Sequence, residues 1–331
     1  MSDHAPDPGL LTARAAALSG AWGEVRSSLE QDMIVTARDG VRSMLLGEAY
    51  LRTGDPRSAS RWLDTASPLL DRAGDRPSRR KVVNMQGAAA FSLGALDIAA
   101  ERFGEALALS LRDDDALLTA RATNNLGAIA ALHGSADGAI ASYQLAIPAY
   151  QRLGNQRGLA ESWHNLAIAY RMRGDLNAAD DAERRAIEFA TEAADVRLTA
   201  MAQVGRAEIA LRRGDPLWSR ATLSRALLIF SQLPDFLLEA DALWLFADAC
   251  DQAGLQAESD AALDRSLTLA RGHGHRLQEA QALQTQAQIL ARRGEIARAL
   301  AIGMQAREAF SQLGSVVAAD EMAEFLAGLA R

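Results

Sequence analysis

The amino-acid sequence predicts an all-α protein, a solenoid of tandem helix-turn-helix hairpins, on three observations. Glycine recurs at constant 40-residue steps, at Gly54, Gly94, Gly134, Gly174, Gly214, Gly254 and Gly294. Small residues keep the same register. Five positions after these glycines stand Ala59, Ala99, Ala139, Ala179, Ser219, Ser259 and Ala299; seven positions before them stand Gly47, Gly87, Gly127, Ala167, Ala207, Ala247 and Ala287. A third small column runs Ala66, Ala106, Ala146, Ala186, Ala226, Ser266 and Ala306. The composition, with 5% aromatics and 8 prolines in 331 residues, favours helix throughout and no strand. Small side chains at matched depths on either side of a turn let two helix backbones approach closely, so each unit reads as an antiparallel hairpin. A solenoid buries surface between neighbours and needs no single large core.

Taken in order, residues 1–9 carry charges and two prolines and are expected to be a disordered lead. Residues 10–33 read as a shorter helical pair broken at Ser19-Gly20, with Trp22, Val25 and Leu29 on one face. It matches the repeat poorly, as expected of an N-terminal cap. Seven repeats then fill 34–313. In each, helix A ends at the turn glycine, which supplies the left-handed conformation that stops a helix. Asp55-Pro56 and Asp215-Pro216 follow directly, an N-cap oxygen and then a ring suited to the first helical position; Asp175 and Ser135 are expected to cap in the same way. Helix B ends twenty residues after the turn, where Gly74, Gly154, Gly274 and Gly314 recur and Pro234 stands in one repeat. Residues 314–331 give a C-terminal capping helix with Glu321, Glu324 and Arg331 on its polar side. The reading is one array with no linker and no second domain.

In the fourth repeat Trp163, Leu166, Ala167, Tyr170, Gly174, Ala179 and Ala186 stand at the spacing W-x2-L-G-x2-Y followed by A-x3-F. This resembles the tetratricopeptide repeat, and the resemblance spans 34–313. It implies a right-handed superhelix whose concave groove binds extended peptides or partner helices. HEAT repeats have a similar length, but no kinking proline stands in any first helix. Two features depart from the family. The period is 40 where about 34 is usual, as in its long-repeat branch, and Glu183 occupies the place of the signature Phe, held in the two preceding repeats by Phe103 and Tyr143.

A net charge of −7 and a pI near 5.4 argue against a nucleic-acid or anionic-membrane surface. Lys81 is the only lysine beside abundant arginine, the bias of a GC-rich bacterial genome. Cys250, on a signature position, reads as a buried apolar residue. The N-terminus lacks a signal pattern and no run approaches the roughly 18 apolar residues of a membrane span, so a cytoplasmic location is expected. No phosphate-binding loop, zinc spacing or nucleophile motif is present. The expectation is therefore a non-enzyme with no cofactor and no metal site. His273 and His275 fall in a loop without a third ligand, and His133 reads as a helix end.

The resemblance places the residues thirteen, ten, nine and six before the turn glycine in the groove. These are Lys81 and Asn84 in the second repeat, Arg121, Asn124 and Asn125 in the third, and Glu161, His164 and Asn165 in the fourth. Farther on come Glu208, Asp241, Trp244 and Asp248, followed by Asp251. Asn125 and Asn165 match the place where the family uses asparagine to hold a ligand's main chain, since one amide both donates and accepts. Lys81 and Arg121 could add charge-assisted bonds to a carboxylate, which resembles the family's carboxylate clamp without its full set. The groove is thus expected to be basic and amide-rich early, acidic and aromatic late, a gradient that would orient a ligand. Against this, such residues could bond only a neighbouring helix or line a solvated face. Trp62 and Trp218 are expected to pack between repeats, and Trp163 in the core.

The function expected is an interaction scaffold or adaptor that captures a peptide or helix of another protein, with no nucleic-acid or membrane partner. A peptide- or ligand-sensing regulator and a self-assembling homo-oligomer are the alternatives.

Overall fold

A computed structural model describes residues 8–233 and 236–329. Among these, every regular element is helical. The first three helices are Pro8–Leu18 (α1), Trp22–Glu30 (α2) and Met33–Thr36 (α3). Hairpins follow: Gly40–Arg52 with Pro56–Ala73 (α4, α5), Arg76–Ser92 with Leu96–Arg112 (α6, α7), and Ala116–Leu132 with Ala136–Arg152 (α8, α9). Next are Gln156–Arg173 with Leu176–Glu192 (α10, α11) and Val196–Arg212 with Pro216–Gln232 (α12, α13). Phe236–Gln252 with Gln256–His273 (α14, α15), Arg276–Arg292 with Ile296–Gln312 (α16, α17) and Val316–Leu329 (α18) complete the chain. Helix starts at Pro8, inside the lead expected over 1–9, and α3 has no counterpart in the sequence reading. The remainder of that lead, Pro234 and Arg331 lie outside the described residues.

The turn glycines do what their spacing suggests. All seven have φ of 76–83°. The next residue bonds back across the turn, as Asp55 N does to the Tyr50 carbonyl at 2.9 Å, closing a Schellman-type stop. Asp55, Asp175 and Asp215 cap the B helices through the amides of Ser58, Ala178 and Trp218. Ser135, expected to do the same, makes no capping bond. Four further aspartates, Asp39, Asp75, Asp115 and Asp195, cap the A helices α4, α6, α8 and α12.

The ends of the B helices hold a constraint the sequence hides. Gly74, Gly154, Gly274 and Gly314 have φ of 61–71°, and the equivalent positions in two other repeats, Asp114 and Ala194, have φ of 52° and 53°. The backbone requires the left-handed region whichever residue is there, and an alanine is strained in it by about 1–2 kcal/mol. Glycine relieves that strain but adds freedom to the unfolded chain. Ala194→Gly is therefore expected to stabilise by about 0.5–1 kcal/mol, read as a higher urea midpoint at unchanged slope. A lower midpoint would show that the alanine is not strained.

Packing follows the small columns. All fourteen residues of the columns Ala59 to Ala299 and Ala66 to Ala306 have 0% exposure. The column before the turn acts more specifically. A Cβ added to Gly47, Gly87 or Gly127 would lie 2.8, 2.7 or 2.7 Å from the side chain of Leu63, Phe103 or Tyr143. The glycine makes room for the large residue nine positions beyond the turn.

The chain divides into two compact units, Met1–Asn155 and Gln156–Arg331. The border falls between the third and fourth repeats, where the sequence shows no linker. In the first unit Val25 and Leu29 join the core of α4 and α5. Here α4 also packs on α6 and α6 on α8; in the second unit α10 packs on α12, α12 on α14 and α14 on α16. Among the described residues the B helices make no comparable contact with one another. Within each unit the A-helix face is therefore the tighter, inner side of the array. Met322 of α18 is fully buried against the second unit's last hairpin.

Candidate ligand-binding face

In the first unit the structure brings together part of the expected set. Asn84 on α6 and Asn125 on α8 are half-buried neighbours, Asn125 Nδ2 donating to Asn84 Oδ1 at 3.4 Å. At that length the bond is weak, and it leaves the Asn125 carbonyl and the Asn84 amide hydrogens for other partners. Lys81 and Arg121, one helical turn earlier on the same two helices, are exposed. Asn124 is not available in this way. It is 8% exposed and turned into the packing of α8.

The second unit departs further from expectation. His164 is buried, its Nδ1 at 2.9 Å from Glu183 Oε2, and Glu183 is itself 0% exposed. The carboxylate accepts, so Nδ1 carries the hydrogen. Arg171 Nη1 reaches Glu183 Oε1 at 3.0 Å and its Nη2 reaches Glu208 at 3.3 Å; Glu208 also meets Arg212 at 2.7 Å. This explains the missing signature Phe. The fourth repeat has exchanged an aromatic for a buried carboxylate held by a histidine and an arginine. Gly205 on α12 completes the exchange, since a Cβ there would lie 1.9 Å from Glu183 Oε1. Asn165, on the same helix as His164, is half-buried.

The late carboxylates do not form an acidic surface. Asp248 pairs with Arg292, and Asp251 with Arg292 at 3.0 Å and Arg293 at 2.7 Å. The charge gradient expected from sequence is thus largely cancelled, because its counter-ions stand on the last turn of α16, outside the columns read as groove. Asp241 is half-buried on α14. Trp244 packs against three apolar clusters, and its Nε1 is buried without a partner among the described residues. On α11, burial alone would raise the Asp180 carboxyl, but hydrogen bonds from Arg206 and Arg184 outweigh it and hold it below the usual range. Trp218, expected between repeats, is exposed, with the Arg206 guanidinium 5.2 Å from its ring centre.

Cys250 is fully buried, and burial pushes its thiol up. His273 stacks on Phe236 with ring centres 4.0 Å apart, and His275 follows at 6.0 Å. No group of three or more His, Cys, Asp or Glu able to hold a metal occurs among the described residues, and none of their helices is long and apolar enough to cross a membrane.

Residues 118–192 match the family model of the tetratricopeptide repeat. No curated protein shows a significant sequence match. Among solved structures, a Rap protein complexed with competence and sporulation factor is similar with a TM-score of 0.66 at 13% identity, over 97% of this chain and 94% of that one. The apo form of the quorum sensor NprR from B. thuringiensis gives 0.58 at 12% identity, over 98% of both chains. The Cut9-Hcn1 assembly of APC/C gives 0.63 at 13% identity, over 95% of this chain and 55% of that one. At these identities the likeness is one of fold. Residues 118–192 are thus matched as tetratricopeptide repeats, and the helical hairpins on either side share that fold.

Proposed function

We propose that the A-helix face of the first unit captures an extended segment of a partner protein, without catalysis. The observation that carries this is the Asn84–Asn125 pair, two adjacent half-exposed amides whose remaining donors and acceptor match a peptide main chain. Lys81 and Arg121 flank it and would engage a carboxylate of the segment. A few such bonds at about 1 kcal/mol each, with some apolar contact, correspond to micromolar binding, about −8 kcal/mol.

The fold shared with NprR and with the Rap protein crystallised with competence and sporulation factor supports a second reading, a regulator that senses a short peptide. On that reading peptide binding alters a second contact; on the scaffold reading it does not.

The test is selection of peptides from a displayed library on the full chain, followed by titration in solution. Asn84→Ala/Arg121→Ala/Asn125→Ala, melting like wild type, is expected to weaken a selected peptide at least tenfold. Equal binding by both proteins would remove this face as the site.

A further inference from the structure

Stability does not explain the buried carboxylate of the fourth repeat. Its desolvation is costly, and hydrophobic side chains of similar volume serve a helix interface as well or better; the fifth repeat has Val204, Leu211 and Leu223 at those positions. The bonds of the network leave one atom over. Glu183 Oε1 accepts from Arg171 Nη1 at 3.0 Å and Oε2 from His164 Nδ1 at 2.9 Å, and Arg171 Nη2 reaches Glu208 at 3.3 Å. His164 Nε2 has no partner among the described residues. Unlike the buried Nε1 of Trp244, it is not sealed from solvent, although the residue as a whole is 9% exposed. In a neutral ring with its hydrogen on Nδ1, that nitrogen carries a lone pair, an acceptor with nothing to accept.

The helix faces around this atom are mostly apolar. Ile168 follows His164 by one turn on α10, and Val204 holds the equivalent position on α12. Met201 of α12 packs against a cluster that includes Ala160, one turn before His164. All three are half-buried, as is Asn165 beside the histidine.

We infer that His164 belongs to a second binding site, on the A-helix face of the second unit, which takes the phenol of a tyrosine side chain from a partner segment. The site shares no residue with the Asn84–Asn125 face and does not depend on it. A phenol brings an O–H donor for the lone pair and a ring for the apolar side chains, including the Met201 thioether, a favourable neighbour of aromatic rings. A serine or threonine hydroxyl lacks the apolar body, and a lysine or arginine brings a charge that these side chains do not solvate. Glu183 and Arg171 are positioning residues. Arg171 holds Oε1, which aims Oε2 at Nδ1 and fixes the tautomer in which Nε2 accepts.

The test titrates the full chain with N-acetyltyrosinamide and N-acetylphenylalaninamide at about pH 8, on the neutral side of the ordinary histidine range. Long-range proton–nitrogen spectra report which ring nitrogen carries the hydrogen, and His164→Val identifies the His164 signals by their loss. The Nδ1–H form is expected, with a saturable shift of Nε2 on adding the tyrosine probe and at least tenfold weaker binding of the phenylalanine probe, which lacks the hydroxyl. Glu183→Gln keeps the shape of the site. Arg171 retains the amide oxygen, so the amide N–H turns to Nδ1, the ring hydrogen moves to Nε2, and the preference for tyrosine is expected to disappear. His164→Val is expected to abolish the preference with the Glu183–Arg171 pair intact, and serves as the variant if Glu183→Gln alters the melting curve. An Nε2–H tautomer in the wild type, no saturable binding of the tyrosine probe, equal binding of the two probes, or a preference unchanged in both variants overturns the proposal.

Discussion

Arg171→Ala is expected to lower the stability of the second unit by about 3–5 kcal/mol. Glu183 has 0% exposure, and Arg171 supplies its full positive charge at 3.0 Å. Removing that charge leaves a carboxylate sealed among α10, α11 and α12 with only a histidine for company. The opposite experiment separates the worth of the pair from the cost of breaking it. In the fifth repeat the positions equivalent to His164, Arg171 and Glu183 are Val204, Leu211 and Leu223. His164→Val/Arg171→Leu/Glu183→Leu transplants that set, and is expected to be neutral or to stabilise by up to about 4 kcal/mol. Urea unfolding followed by tryptophan fluorescence measures both. A loss below about 1 kcal/mol for Arg171→Ala, the range of an exposed pair, would contradict the Arg171–Glu183 pair as a buried support of the second unit.

Phe103→Ala should cost a similar amount, about 3–5 kcal/mol. The ring is 2% exposed and lies against Gly87. What makes the case specific is the partner. In the wild type, Gly87→Ala would put a methyl 2.7 Å from ring carbons, and the overpacking of about 1–3 kcal/mol outweighs the gain of about 1 kcal/mol in helix propensity. With the ring removed the clash disappears, so Gly87→Ala should change sign and stabilise the Phe103→Ala background. Additive effects of the two substitutions in a double-mutant cycle would contradict the direct contact. Stability in a repeat array is a sum of local terms, so hydrogen exchange should show the loss concentrated in α6 to α8.

Both results bear on what could be read beforehand. Turn glycines were legible because a left-handed backbone selects glycine strongly, and seven in register leave little else to explain them. The same backbone at Asp114 and Ala194 was not legible, because there the fold imposes the conformation on residues that do not advertise it. Glu183 was visible as a departure from the family pattern. Its cause was not, since Arg171 and Gly205 become its neighbours only when three helices meet. Residues of the groove columns differ in burial for a related reason. Positions ten before the turn sit at the edge between the inner face and the hairpin partner. Asn84 stays half-open there, while Asn124 and His164 are drawn inward by what each hairpin offers them. The late acids carry less net charge than their positions suggest, because Arg292 and Arg293, which pair with Asp248 and Asp251, lie outside the groove columns.

The single lysine gives the first unit a built-in chemical handle. Lys81 is exposed beside the Asn84–Asn125 pair, and every other side-chain cation apart from histidine is an arginine. An amine-directed reagent therefore has one side-chain target besides the α-amino group. A dye or photo-cross-linker placed there needs no engineered residue and sits at the edge of the proposed face. Protection of one amine would then report occupancy of that face, in the unaltered protein and in a mixture where the ligand is not yet known.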